Sequence, residues 1–128
     1  MIVRHLHTLG DEARLHTDAG THHGLVLDHD RLGFALYDAR FLAGSRTVVE
    51  HGGQGEAVYC LEGTGAIEDL RTGGRHEVTP GTVYTLEPGD RHALVAHTRL
   101  RVLWVARRAP DEAHPSPSAD SLAATARP

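Results

Sequence analysis

The chain contains no lysine; all 13 of its basic residues are arginine. That absence removes Schiff-base catalysis and every other mechanism that needs a lysine amine. There is one cysteine, Cys60, so no intrachain disulfide can close and no cysteine pair is present to build a zinc knuckle. No stretch approaches the roughly 20 apolar residues that a membrane helix needs. The opening MIVRHLHTLG has no apolar run of signal-peptide length. A cytoplasmic location without a membrane partner is the expectation. The formal net charge is −4, which gives no phosphate-binding surface and no footprint for nucleic acid. With 128 residues the chain has room for one domain with one modest core.

What is present reads as β-structure from end to end. Apolar and β-branched runs recur at Leu25 to Leu27, Gly33 to Leu42, Thr47 to Val49, Ala57 to Leu61, Ala66 to Leu70, Thr82 to Leu86, Ala93 to Ala96 and Leu100 to Ala106. Turn signals separate them, among them Gly52-Gly53, Gly63-Thr64-Gly65, Thr72-Gly73-Gly74, Pro80-Gly81 and Pro88-Gly89-Asp90. Strands this short must bury their apolar faces against another sheet, so the pattern predicts a single all-β barrel or sandwich over residues 1–109. Only Asp11 to Ala19 has the makings of a helical turn or two. The remainder, 110–128, is rich in Pro, Ser, Ala and Asp, and the expectation for it is a disordered tail.

One strand carries a chemical oddity. In EAVYCLEGTG, period-two alternation puts Glu56, Val58, Cys60 and Glu62 on one face and Ala57, Tyr59 and Leu61 on the other. Glu56 therefore points inward with Val58 and Cys60, and a buried carboxylate is costly unless it is paired or holds a cation. Further along, Thr82, Tyr84 and Leu86 share a face just before the Pro88-Gly89-Asp90 turn, which delivers His92 to the start of the next strand. Inward polar groups on neighbouring strands invite a metal.

The spacing of these residues resembles the cupins, small jelly-roll β-barrels. Gly44, Glu50, Gly52, Glu56 and Gly63 keep the intervals of the first cupin motif with both of its histidines replaced. Gly81, Glu87-Pro88-Gly89 and His92 keep those of the second, with Glu87 standing for a proline. A narrower resemblance is to the ectoine synthase family. It is carried by MIVRHL at the start, EAVYCLEGTGAIEDL from Glu56 to Leu70 and TPGTVYTLEPGDRHAL from Thr79 to Leu94, and it extends over roughly residues 1–105. The resemblance implies a divalent metal, Fe(II), held by Glu56, Tyr84 and His92. It also implies a hydro-lyase reaction, in which the amine of N-acetyl-diaminobutyrate condenses with its own acetamide carbonyl. Small cupins commonly pair, so it implies a homodimer too. Carboxylate, phenolate and imidazole make a hard oxygen and nitrogen set with open positions, better suited to Fe(II) than to structural zinc.

The departures from that family are as informative. Its substrate-positioning tyrosine has become His51, which stands in the first motif as a candidate catalytic residue beside Tyr84. The family's tryptophan and arginine fall at His22 or His23 and Gly24, its Asn and Thr at Tyr37 and Ala39, and its late phenylalanine at Ala106. Its C-terminal histidine segment has no counterpart. A metal set is kept while the substrate pocket is rebuilt. Three functions follow: a hydro-lyase of the ectoine synthase type, another cupin enzyme such as an oxygenase or isomerase on a different small molecule, or a non-catalytic small-molecule binder. Plainer roles stand beside the chemical ones. Glu56 could be a rim carboxylate paired with Arg46, Tyr84 a core tyrosine, Cys60 packing, and His22, His23, His29, His76 and His97 surface residues.

Overall fold

A computed structural model describes residues 1–50 and 54–108, together with the backbone of 126–127. Two antiparallel sheets form a barrel. The first has the order β1 (Arg14–Thr17), β2 (Gly20–Val26), β3 (Phe34–Phe41), β10 (Leu100–Arg107), β5 (Glu56–Glu62) and β8 (Val83–Leu86). The second has the order β11 (Ala126–Arg127), β4 (Arg46–Glu50), β9 (Arg91–Ala96), β6 (Gly65–Asp69) and β7 (Arg75–Val78). Alternation along the strands fills the space between them. Tyr37, Ala39 and Phe41 of β3, Val102 and Trp104 of β10, Val58 and Cys60 of β5, and Leu94 and Ala96 of β9 all belong to one buried cluster.

The turns around β8 decide where the site residues come to rest. Thr82 N–H donates to the Thr79 carbonyl at 2.9 Å and Asp90 N–H to the Glu87 carbonyl at 3.0 Å, so each Pro-Gly pair occupies the centre of a four-residue turn. Gly81 and Gly89 take φ of +97° and +92° there, a conformation that only glycine adopts cheaply. Asp90 reinforces the second turn, its Oδ2 accepting from Glu87 N–H at 2.7 Å. Tyr84 is thereby fixed between two sharp reversals, and His92 follows directly on β9.

The segment Asp11 to Ala19 departs from the helical expectation. Only Asp11–Ala13 forms a 3₁₀ turn, after which β1 begins. Thr17 Oγ1 accepts from the N–H groups of Ala19 and Gly20, both at 3.2 Å, and so closes a hairpin into β2. A second correction concerns His22. Its alternation on β2 puts it on the inner face opposite Ala39, and it is fully buried, with 0% exposure, rather than on the surface. Among the described residues no helix is long and apolar enough to cross a membrane. The expected disordered tail lies outside the described residues apart from Ala126–Arg127, whose backbone pairs with β4.

Candidate metal centre

Register brings Glu56 and Tyr84 together. β5 runs between β10 and β8, with Val58 opposite both Trp104 and Tyr84, and Glu56 opposite Leu86. Glu56 and Tyr84 are thus diagonal neighbours on one face, within side-chain reach. His92 comes from the other sheet, where it pairs with Val49 of β4 and Asp69 of β6. Its ring centre lies 5.7 Å from that of Tyr84, edge-on at 66°. All three side chains line one cavity, whose enclosed part measures about 30 Å³, roughly the room of one or two waters.

The electrostatics fit a cation. Glu56 is 6% exposed and His92 5%, so both polar groups are largely removed from water. Glu56 Oε1 accepts the indole N–H of Trp104 at 3.0 Å, a contact that orients the carboxylate. Burial pushes the Tyr84 phenol well above its ordinary value, and the charge of Glu56 pushes it further. A phenol in that position gives up its proton only to a strong compensating charge, which a divalent ion would supply. Carboxylate, phenol and imidazole suit such an ion. Among the described residues no three His, Cys, Asp or Glu side chains cluster, so the set reaches three only through Tyr84.

The remaining candidates sort clearly. Arg46 pairs with Glu68 at 3.2 Å, so the rim pairing with Glu56 is not the one adopted. Cys60 is 1% exposed, its thiol is pushed up by burial, and its Sγ lies 3.6 Å from the Glu62 carbonyl as a weak donor. It is packing. His51 lies outside the described residues. Two residues escaped the sequence reading. Trp104, the only tryptophan, was recognisable from its inward alternation on β10, but its link to Glu56 spans 48 residues. Thr47 lines the same cavity from β4. Of the positions where the resemblance departs from the family's pattern, Ala39 lines the cavity, and the Tyr37 ring packs 5.4 Å from that of Trp104.

Comparison with known proteins identifies the family. The ectoine synthase family model matches residues 1–113. The chain is 36% identical over 107 residues to L-ectoine synthase of Bordetella parapertussis, covering 82% of each. It is 36% identical over 106 residues to that of Oceanobacillus iheyensis, covering 82% of this chain and 83% of the relative. The crystal structure of ectoine synthase from P. lautus superposes with a TM-score of 0.79 at 35% identity, over 84% of this chain and 78% of that one. The polyketide cyclase RemF from Streptomyces resistomycificus shares the fold alone, with a TM-score of 0.69 at 22% identity over 93% of this chain and 91% of that one. With a cupin barrel, Glu56, Tyr84 and His92 around one cavity, and relatives matched over most of its length, the chain belongs to the ectoine synthase family.

Proposed function

We propose that the protein is a metal-dependent hydro-lyase that closes a small amide substrate on itself by intramolecular condensation. The observation that carries this reading is the meeting of Glu56, Tyr84 and His92 on a single cavity. Those three would hold a divalent ion, Fe(II) in this reading, and the ion would supply Lewis-acid polarisation of the amide carbonyl. Trp104 keeps the Glu56 carboxylate in one orientation through its 3.0 Å hydrogen bond. Val58, Leu94 and Val102 form an apolar wall, which holds amine and carbonyl close and keeps bulk water from reversing a reaction that releases water.

Reconstitution with Fe(II) under anaerobic conditions, desalting and elemental analysis test the metal. The expected content is about one ion per chain, falling to near zero in Glu56→Ala because one of three protein ligands is gone. Cys60→Ala should retain the ion. Wild type without metal, or a Glu56→Ala variant that loads as well as wild type, would sink the proposal. Cyclisation is read by detecting the ring product from N-acetyl-diaminobutyrate. Weak turnover is expected there, because the resemblance puts the family's tryptophan and arginine at His22 or His23 and Gly24 and its late phenylalanine at Ala106, so that the arginine and the aromatics are lost.

The same reading puts the enzyme in the cytoplasm as a homodimer. Phe34, Tyr59, Val83 and Val105 are exposed on the outer face of the first sheet, and the ladder sets Tyr59 between Leu103 and Val83. A second copy would cover this apolar face. Light scattering should give twice the 13.9 kDa chain mass; a monomer mass removes the dimer and leaves the chemistry untouched.

A further inference from the structure

One polar group at the metal centre stands outside the ligand set. Thr47 lines the cavity together with Glu56, Tyr84 and His92. It is 1% exposed, and its Oγ1 has no hydrogen-bond partner among the described residues. A hydroxyl buried in that state gives up its bonds to water and gains none in return, which is unfavourable. Valine has the same shape and would fill the place without that cost, so packing alone does not account for a threonine here.

The surroundings indicate what meets the hydroxyl. On β9 the direct partner of Thr47 is Leu94, and its diagonal neighbour on the same face is His92, roughly 7 to 8 Å away across the ladder. One water closes a gap of that size. The enclosed part of the cavity measures about 30 Å³, so a water inside it touches the walls on every side. The indole N–H of Trp104 is engaged with Glu56, which leaves the hydroxyl and the three candidate ligands as the polar groups a water would meet. Only the carbonyl end of a substrate enters so small a space. The rest of the molecule has room in a neighbouring open cavity of about 420 Å³, which shares Tyr84, Leu86 and His92 with it.

We propose that Thr47 holds an oxygen atom in this cavity: an ordered water when no substrate is bound, and the carbonyl oxygen of the amide once it arrives. The water site stands on the cavity and the hydroxyl alone; the second role rests on the hydro-lyase reading. In that reaction the amine nitrogen bonds to the carbonyl carbon, the oxygen gathers negative charge, and the Thr47 hydroxyl donates to it. The C–O bond then breaks. The oxygen leaves as water with both amine hydrogens, in the place the resting water held, so no oxidant or reductant is required.

Crystals of the full chain that resolve ordered solvent should show a water bonded to Thr47 Oγ1 and to at least one of Glu56, Tyr84 and His92. It should persist in Thr47→Ser, which keeps the hydroxyl, and vanish in Thr47→Val, which keeps the shape. Urea denaturation gives a second readout: a hydroxyl without a partner would make Thr47→Val more stable than wild type, whereas one bonded to a water makes that variant no more stable. A dry cavity in wild type, a water that stays in Thr47→Val, or a clear gain of stability in that variant overturns the water site. In the Fe(II)-loaded protein, Thr47→Val should lower kcat on N-acetyl-diaminobutyrate by about a hundredfold, with KM and metal content little changed, and Thr47→Ser should keep most of the wild-type rate. Wild-type kcat in Thr47→Val overturns the role in the reaction. Wild type that shows no turnover refutes the proposed activity instead, and the crystals still decide the water site.

Discussion

Two buried carboxylates sit on opposite faces of the same sheet and are treated differently. Asp38, on the outer face of β3, is 2% exposed and is met by Arg101 at 2.7 Å and Arg40 at 3.4 Å. Burial would raise its pKa, but the two guanidinium groups outweigh it and hold the carboxyl below its ordinary value. Glu56, on the inner face of β5, receives a neutral indole N–H and looks across a cavity at a phenol and an imidazole. A carboxylate that only supports the fold is matched with fixed cations. Glu56 instead shares its cavity with side chains of types that can ligate a metal, and in the proposed function a divalent ion would join them.

Removing each carboxylate tests that division, and the effects should separate completely. Glu56→Ala is expected to abolish metal loading while leaving the denaturation midpoint little changed. Asp38→Ala takes away the buried partner of Arg101, which keeps Glu62 at 3.0 Å, and should cost about 1 kcal/mol in urea denaturation, with metal loading intact. If both variants lose stability alike and neither changes metal content, the two carboxylates play the same part and the contrast is void.

The same contrast explains what was legible in the sequence. That Glu56 and Tyr84 turn inward and His92 follows a sharp turn could be read because alternation and the two Pro-Gly turns are local rules; it was the family resemblance that singled the three out as a set. Trp104 and Thr47 reach the cavity from strands paired through distant parts of the chain, so nothing near them in sequence signals the contact. Strand β7, Arg75–Val78, went unread because three of its four residues are exposed, leaving no apolar alternation at an edge. In the other sheet β1 and β2 were hidden by histidine, threonine and glycine, residues whose inward positions become apparent only from the pairing of β1 with β2 and of β2 with β3. His22 is the sharpest case, read as a surface residue and found at the centre.

His22 offers a comparison of its own with His92. Its ring lies 5.1 Å from Phe41, and neither nitrogen has a partner among the described residues. Burial pushes its pKa down to about 4, with His23 and His16 adding to the effect. The folded state therefore keeps His22 neutral, while the unfolded chain takes up a proton below about 6.5. Stability should be level above that pH and fall as pH drops from about 6.5 toward 4, by up to about 3 kcal/mol. His22→Leu should flatten this part of the stability profile and gain about 1 kcal/mol at neutral pH, since it removes buried polar atoms. An unchanged acid slope in that variant would assign the titration to other groups.

The smallest expected effect lies at the hydrogen bond between Trp104 and Glu56. Trp104 contributes both packing against Tyr37 at 5.4 Å and an indole N–H that fixes one carboxylate oxygen. Trp104→Phe keeps an aromatic ring in the wall and removes the donor. If the hydrogen bond orients the ligand, metal affinity should fall by about tenfold, the lower end of what such supporting contacts contribute, while metal at saturation still reaches wild-type stoichiometry. Competition with a chelator measures this independently of turnover. A variant that loses stability but binds metal with unchanged affinity would make Trp104 a packing residue, and Glu56 would then owe its orientation to the register of β5 between β10 and β8 alone.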